Sequence, residues 1–312
     1  MDRVILDKMI AWAESEEETG KTVSYLQAYL RSYLKTGENV LICFDNWRRG
    51  SLGWMLEQAV RGCGAIPVIW GPDYRWKTIL QLAFYSRAAV IIAPPLIALG
   101  LTKLMRHSGL PLYVRHAVCA GYPCLDWMAE GIMRGLDCSS SGIFSLGDSG
   151  IVGGVSCEET IGVHIREDVF GVDIVSRDGT VLPAGELGEM VIYPRHMPQL
   201  RLAIGENARI LAEDCPCGVA SHRLVDMQPG KEVDGDLVSL GQQLQSWMSV
   251  LDCRLQRGLF GLEMELVVFP GEKLPKLPSS AKQVIRPWNP GEDTPFSYMP
   301  AVKKPYFSAE SH

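Results

Sequence analysis

Tyrosine-leucine pairs recur every four residues at Tyr25-Leu26, Tyr29-Leu30 and Tyr33-Leu34, so Thr22 to Lys35 carries a broad apolar stripe on one face. That spacing predicts a helix, and Gly37 ends it. NVLICF then reads as a buried strand, SLGWMLEQAVRGCG as a helix closed by Gly62 and Gly64, and AIPVIW as a second strand. TILQLAFYSRA follows as a helix, AVIIAPP as a strand and LIALGLTKLMRHSG as a further helix. Alternation of this kind predicts a mostly parallel sheet covered by helices. LYVRHAVCAG, LDWMAEGIMRGL and SGIFSLGDSGIVGG continue it as strand, helix, and a short strand running into a glycine-rich loop. In open α/β sheets such loops sit at the carboxyl ends of strands, where ligands bind.

From about residue 156 the pattern changes to period two. FGVDIVSRDGTVLPAGELGEMVIY is two alternating runs joined by turn residues at Asp178-Gly179 and Pro183 to Gly185, which predicts an antiparallel β region. After Met227, LVSLGQQLQSWMSVLDCRLQ reads as a helix and LEMELVVF as a strand. Seven of the 19 prolines lie between residues 271 and 312, so that stretch is expected to be irregular or extended. The expected fold is α/β: helix-covered lobes over residues 1–155, an antiparallel β region over 156–227, and a small α+β C-terminal piece with a proline-rich tail over 228–312.

Composition narrows the function classes. Hydrophobic residues make up 47% of the 312 and charged residues 21%, enough apolar material for a real core. A net charge of -6 with scattered Arg and Lys offers no footprint for a phosphate backbone, so nucleic acid is not expected as a partner. The first residues, MDRVILDKMIAWAESEEE, carry acids where a secretion signal has a basic end and an apolar run. The longest apolar stretch, Ala88 to Leu101, is interrupted by Pro94, Pro95 and Gly100 and is too short to span a bilayer. The chain therefore reads as soluble and cytoplasmic, with no membrane partner. Trp and Met on its predicted helices leave room for a homodimer.

Nine cysteines lack the spacing of a disulfide framework. Four chemistry-bearing residues bracket the β region: Cys157 and His164 at its start, Cys215 and Cys217 at its end. Three thiolates and one imidazole form a closed tetrahedral set for zinc, which leaves no position for an activating water and excludes a zinc hydrolase. A C-x-C followed by Gly is a tight turn presenting two sulfurs, whereas C-x6-H is a loose pairing. Four buried side chains without metal, or a Cys215–Cys217 disulfide, satisfy the same spacing.

Gly142 to Arg223 resembles the phenylacetate-CoA ligase branch of the adenylate-forming enzymes. The resemblance rests on IFSLGDSGIVGG, the C-x6-H pair, VDIVSRDGTVLPAGELGEMVIY, the arginine motif LRLAIGE and the C-x-C-G segment, in the family's order and spacing. Residues from Asn39 to Pro95 are similar, more weakly, to the family's preceding α/β lobe. Several members hold zinc with the matching Cys and His residues, which favours the metal reading of the four residues here.

The resemblance implies an acid–CoA ligase: a small carboxylic acid attacks ATP, with Mg²⁺, to give an acyl adenylate, and coenzyme A then displaces AMP. By position, Phe144 would stack on adenine with Ser145 and the Gly121-Tyr122-Pro123 loop beside it, and Asp148 would sit near magnesium. Arg201 and Glu206 would bind the ribose side, and Lys21 would serve a phosphate loop at 15–22. Several positions depart from the family pattern. Glu16, Glu17 and Glu18 stand where small uncharged residues are expected, Gly147 replaces a hydroxyl residue, and Glu206 replaces the ribose-binding Asp. Carboxylates beside a triphosphate repel it. Val219 stands where an Arg follows C-x-C-G, and Lys282, Lys303 and Lys304 are the late lysines. Those departures imply a second function class, a non-catalytic binding or scaffold module on the same fold.

Overall fold

The computed structural model describes residues 2–70, 74–147, 149–158, 162–229, 235–258, 261–274, 276–278 and 281–295. It opens with a helix that the hydrophobic pattern does not mark, α1 (Arg3–Ala13), whose Asp2 carboxylate accepts from the Val4 and Ile5 amides at 2.9 and 3.2 Å. Leu6, Met9 and Ala13 bury one face of it. α2 (Glu16–Leu30) starts six residues before the expected position, with the Ser15 hydroxyl accepting from the Glu18 amide at 3.4 Å. Glu16, Glu17 and Glu18 fill its first turn, where the helix dipole favours negative charge.

Strands and helices then alternate as the pattern predicts: β1 (Asn39–Ile42), α3 (Leu52–Gly62), β2 (Ile66–Ile69), α4 (Trp76–Tyr85), β3 (Val90–Ala93), α5 (Pro95–Ser108), β4 (His116–Cys119), α6 (Asp126–Leu136) and β5 (Ser139–Ser145). These strands pair in parallel in the order β2-β1-β3-β4-β5. Successive strand residues point to opposite faces, and here both faces are dry. Val40, Ile42, Val90, Ile92 and Val118 pack with α2 and α3, while Leu41, Ile91, Ala93 and Ala117 pack with α4, α5 and α6. The reversal of strand order between β1 and β3 marks the crevice where open α/β sheets accept ligands.

β5 is the joint of the molecule, parallel to β4 on one side and antiparallel to β6 (Val152–Ser156) on the other. The antiparallel region comprises β6, β7 (Val163–Ile165), β8 (Phe170–Val175), β9 (Gly188–Pro194), β10 (Leu202–Leu211) and β11 (Arg223–Pro229). It extends the parallel sheet in the order β5-β6-β7-β11-β10-β9-β8, so both regions belong to one eleven-stranded sheet. α1 covers the antiparallel part, its Leu6, Met9 and Ala13 joining Ile165, Phe170, Ile192 and Leu202 in one core.

The C-terminal piece consists of α7 (Gly235–Ser246), β12 (Val250–Gly258), β13 (Gly261–Val268) and β14 (Lys282–Pro287). Two expectations are corrected there. The long helix expected after Met227 stops at Ser246, and Val250 to Gln256 form a strand paired with β13. Within the proline-rich stretch, Lys282 to Pro287 add a parallel strand to β13. This piece docks on α5. Lys103, 1% exposed, donates to the Val250 carbonyl at 2.7 Å and to Gln245 Oε1 at 3.1 Å, and His107 stacks on Phe269 at 4.2 Å between ring centres. Burial lowers the Lys103 pKa to about 8. Among the described residues, no helix is long and apolar enough to cross a membrane.

Candidate functional site

Two hairpin ends bring the Cys and His residues together. Cys157 follows β6 directly and His164 lies in β7, which pairs with β6 and with β11. Cys215 and Cys217 occupy the turn between β10 and β11, closed by the Gly218 amide donating to the Cys215 carbonyl at 3.0 Å, with Gly218 at φ 79°. Gly154 permits the close approach of β6 to β7, because a Cβ there would stand 2.1 Å from the His164 carbonyl oxygen.

The ligand atoms of Cys157, His164, Cys215 and Cys217 all lie within 4.8 Å of one another. Cys157 and Cys215 sulfurs are 3.6 Å apart, and Cys217 Sγ is 3.2 Å from His164 Nε2. A tetrahedral zinc with Zn–S of about 2.3 Å and Zn–N of about 2.0 Å sets its ligand atoms roughly 3.5–3.8 Å apart. The donor set therefore fits in both chemistry and spacing. Ser221 Oγ lies 3.2 Å from His164 Nδ1, which fixes the ring and leaves Nε2 directed at the sulfurs. Desolvation and the nearby Cys215 and Cys157 thiols raise the Cys217 pKa, a cost that a central dication relieves. All nine cysteines are thiols, so Cys215 and Cys217 form no disulfide. Ser221 was not foreseen, since a lone loop serine carries no signal of the imidazole it supports.

The residues assigned to a nucleotide are placed less uniformly. After β4, Gly121 turns at φ 92°; its amide donates to Ser145 Oγ at 2.9 Å and its carbonyl accepts from the Gly147 amide at 2.8 Å. The Gly121-Tyr122-Pro123 loop and the end of β5 are thus locked side by side at the carboxyl edge of the sheet. Phe144 is 5% exposed, and its ring lies on Gly153, where a Cβ would come within 2.6 Å. That ring belongs to the core shared with Leu6, Met9 and Ala13 of α1. Asp148 lies outside the described residues.

Glu206, in β10, has a buried Oε2 with no hydrogen-bond partner among the described residues, and burial pushes its pKa up to about 8. Arg201 donates to Asp173 at 2.5 Å and its guanidinium carbon stands 4.8 Å from the centre of the Tyr193 ring. The phosphate loop expected at 15–22 is instead the N-cap and first turns of α2. Lys21 lies within that helix, its ammonium bonded to Glu17 at 2.7 Å and Glu18 at 2.8 Å. Of the late lysines, Lys282 pairs with Glu263 at 3.3 Å in the small sheet, and Lys303 and Lys304 lie outside the described residues.

This arrangement of a parallel sheet continued by an antiparallel region, with a small separate sheet, is the fold of the adenylate-forming enzymes. A structure of 2-hydroxyisobutyryl-CoA ligase in the postadenylation state, in complex with 2-HIB-AMP, is similar over 92% of this chain and 68% of that one, with a TM-score of 0.64 and 12% identity. An anthranilate CoA ligase in complex with anthranoyl-AMP is similar over 82% of this chain and 54% of its own, with a TM-score of 0.56 and 12% identity. A benzoate CoA ligase from Burkholderia xenovorans LB400 is similar over 84% of this chain and 62% of its own, with a TM-score of 0.50 and 12% identity. No family model and no curated protein sequence matches the chain.

Proposed function

We propose that this chain is an acid–CoA ligase-type protein of the phenylacetate-CoA ligase branch, acting on a small carboxylic acid with ATP, magnesium and coenzyme A. The observation that carries the reading is the likeness of nearly its whole length to ligase structures holding an acyl adenylate, one of which it matches over 92% of this chain. Glu206 supports it. A buried carboxyl oxygen without a donor is costly to retain, and a ribose hydroxyl would supply that donor. In the proposed site the backbone of Gly121 and Tyr122 lines one side of the base. Zinc held by Cys157, His164, Cys215 and Cys217 has a structural role, clipping both ends of the antiparallel region. Nine thiols and no disulfide suit a reducing, cytoplasmic compartment.

The triphosphate end fits less well, and this favours a second reading as a binding module that no longer activates acids. Lys21 is held by two glutamates, and Phe144 is turned into the core rather than toward a ligand. Exchange of labelled pyrophosphate into ATP, measured across a panel of aryl and short-chain acids, separates the two. Acid-dependent exchange is expected from the ligase. Silence across the panel, together with a thermal shift from AMP alone, supports the binding module, and silence with no response to any nucleotide contradicts both.

A further inference from the structure

We propose that the mouth of the curled sheet β7-β11-β10-β9-β8 is a second small-molecule site that takes a small apolar carboxylic acid in its ionised form. Residues from β7 and β8, the two ends of that row, line a single cavity of about 290 Å³, so the row curls until its ends face each other. Mouths of closed or curled sheets are recurrent ligand positions, and this volume lies at the small end of their range. The cavity shares no lining residue with Gly121, Ser145 or Glu206.

Its lining divides by chemistry. Ile165, Phe170 and Ile210 give an apolar floor, and Trp12 of α1 backs Phe170 edge-on at 5.5 Å between ring centres. Tyr193 forms a fixed wall lying against the backbone of β8, since a Cβ on Gly171 would come within 2.2 Å of its ring. Two basic residues, His222 and Arg195, belong to its lining. His222 is already matched by Glu167, Nδ1 to Oε1 at 2.5 Å. Arg195 is exposed and its guanidinium meets no carboxylate among the described residues. A lining arginine without a carboxylate partner beside an apolar floor suits an anion with an apolar body, and the planar fork of Arg matches a carboxylate with two hydrogen bonds.

Benzoate is the probe, titrated without nucleotide into the full chain labelled with ¹⁵N. One benzoate per chain is expected, shifting the amides of Val172 and Ile210. Arg195→Gln should weaken binding about tenfold or more, because a charge-assisted hydrogen bond is lost. Among the described residues the Arg195 side chain makes no bond, so the variant should melt with the parent. Glu206→Gln should bind benzoate as the parent does. The proposal is overturned if no shifts appear at those amides, if Arg195→Gln binds as tightly as the parent, or if inorganic phosphate binds there as tightly as benzoate. Benzoate binding that requires ATP or disappears in Glu206→Gln also overturns it, while leaving the ligase reading intact. Absence of pyrophosphate exchange affects only that reading.

Discussion

Glu206 carries the clearest consequence of burial at the scale of a single side chain. Its folded pKa of about 8 lies above the ordinary value of 4.5 because burial disfavours the carboxylate. A raised folded pKa contributes stability that is complete below the unfolded value and is lost as pH rises through the folded one. The protein should therefore lose stability between roughly pH 5 and pH 8 through this group. Glu206→Gln removes that titration. Thermal unfolding should show the variant gaining on the parent as pH rises, by about 1–3 kcal/mol at pH 8; a difference that stays flat from pH 5 to pH 8 contradicts the assignment. If AMP is bound through the ribose, its affinity for the parent should also strengthen with rising pH, because an acceptor of two hydroxyls must be ionised.

Residue identity disclosed the Cys/His cluster better than it disclosed the arrangement of the proposed nucleotide residues. Cys157, His164, Cys215 and Cys217 carry their chemistry in their side chains, and spacing alone showed that they bracket one region. Phe144 was legible as an aromatic at the end of a strand, but whether its ring faces a ligand or the core depends on Gly153 and on α1, far away in the chain. The acidic run at Glu16 to Glu18 held both readings, and the Ser15 cap decides for helix.

Elements were legible where both periods were unambiguous, as in the alternation from β1 to α6. α1 is short, and its acidic and basic residues dilute the stripe of Leu6, Met9 and Ala13. β12 was masked because its inward residues follow a helix without a proline or glycine between them. A register shift between Val250 and Asp252 breaks its period-two signal as well. At this scale the proposed metal would act as a clip on two hairpin ends. Removing it with a chelator should speed amide exchange in β6, β7 and the β10–β11 turn, and leave β1, β3 and β4 protected. Uniform exchange across both regions contradicts a local clip.

Across the whole molecule, the C-terminal piece is held by a polar node inside an apolar interface. Lys103 satisfies the Val250 carbonyl and Gln245, while Leu251, Val267 and Phe269 join the core beneath α5. Lys103→Ala leaves a cavity and two unsatisfied acceptors, and should cost about 2–5 kcal/mol in denaturant unfolding. Lys103→Met keeps the volume and should cost less. Equal losses for the two variants would mean that filling this space is unimportant to docking.

The central claim is that three sulfurs and one imidazole, drawn from two separate hairpin ends, hold one zinc ion and clip the two ends of the antiparallel region together. Metal content of the protein purified without added metal tests this directly. One zinc per chain is expected for the parent, falling to well below half in Cys157→Ser and in Cys215→Ser. A parent chain that folds cooperatively and carries no stoichiometric metal contradicts the account.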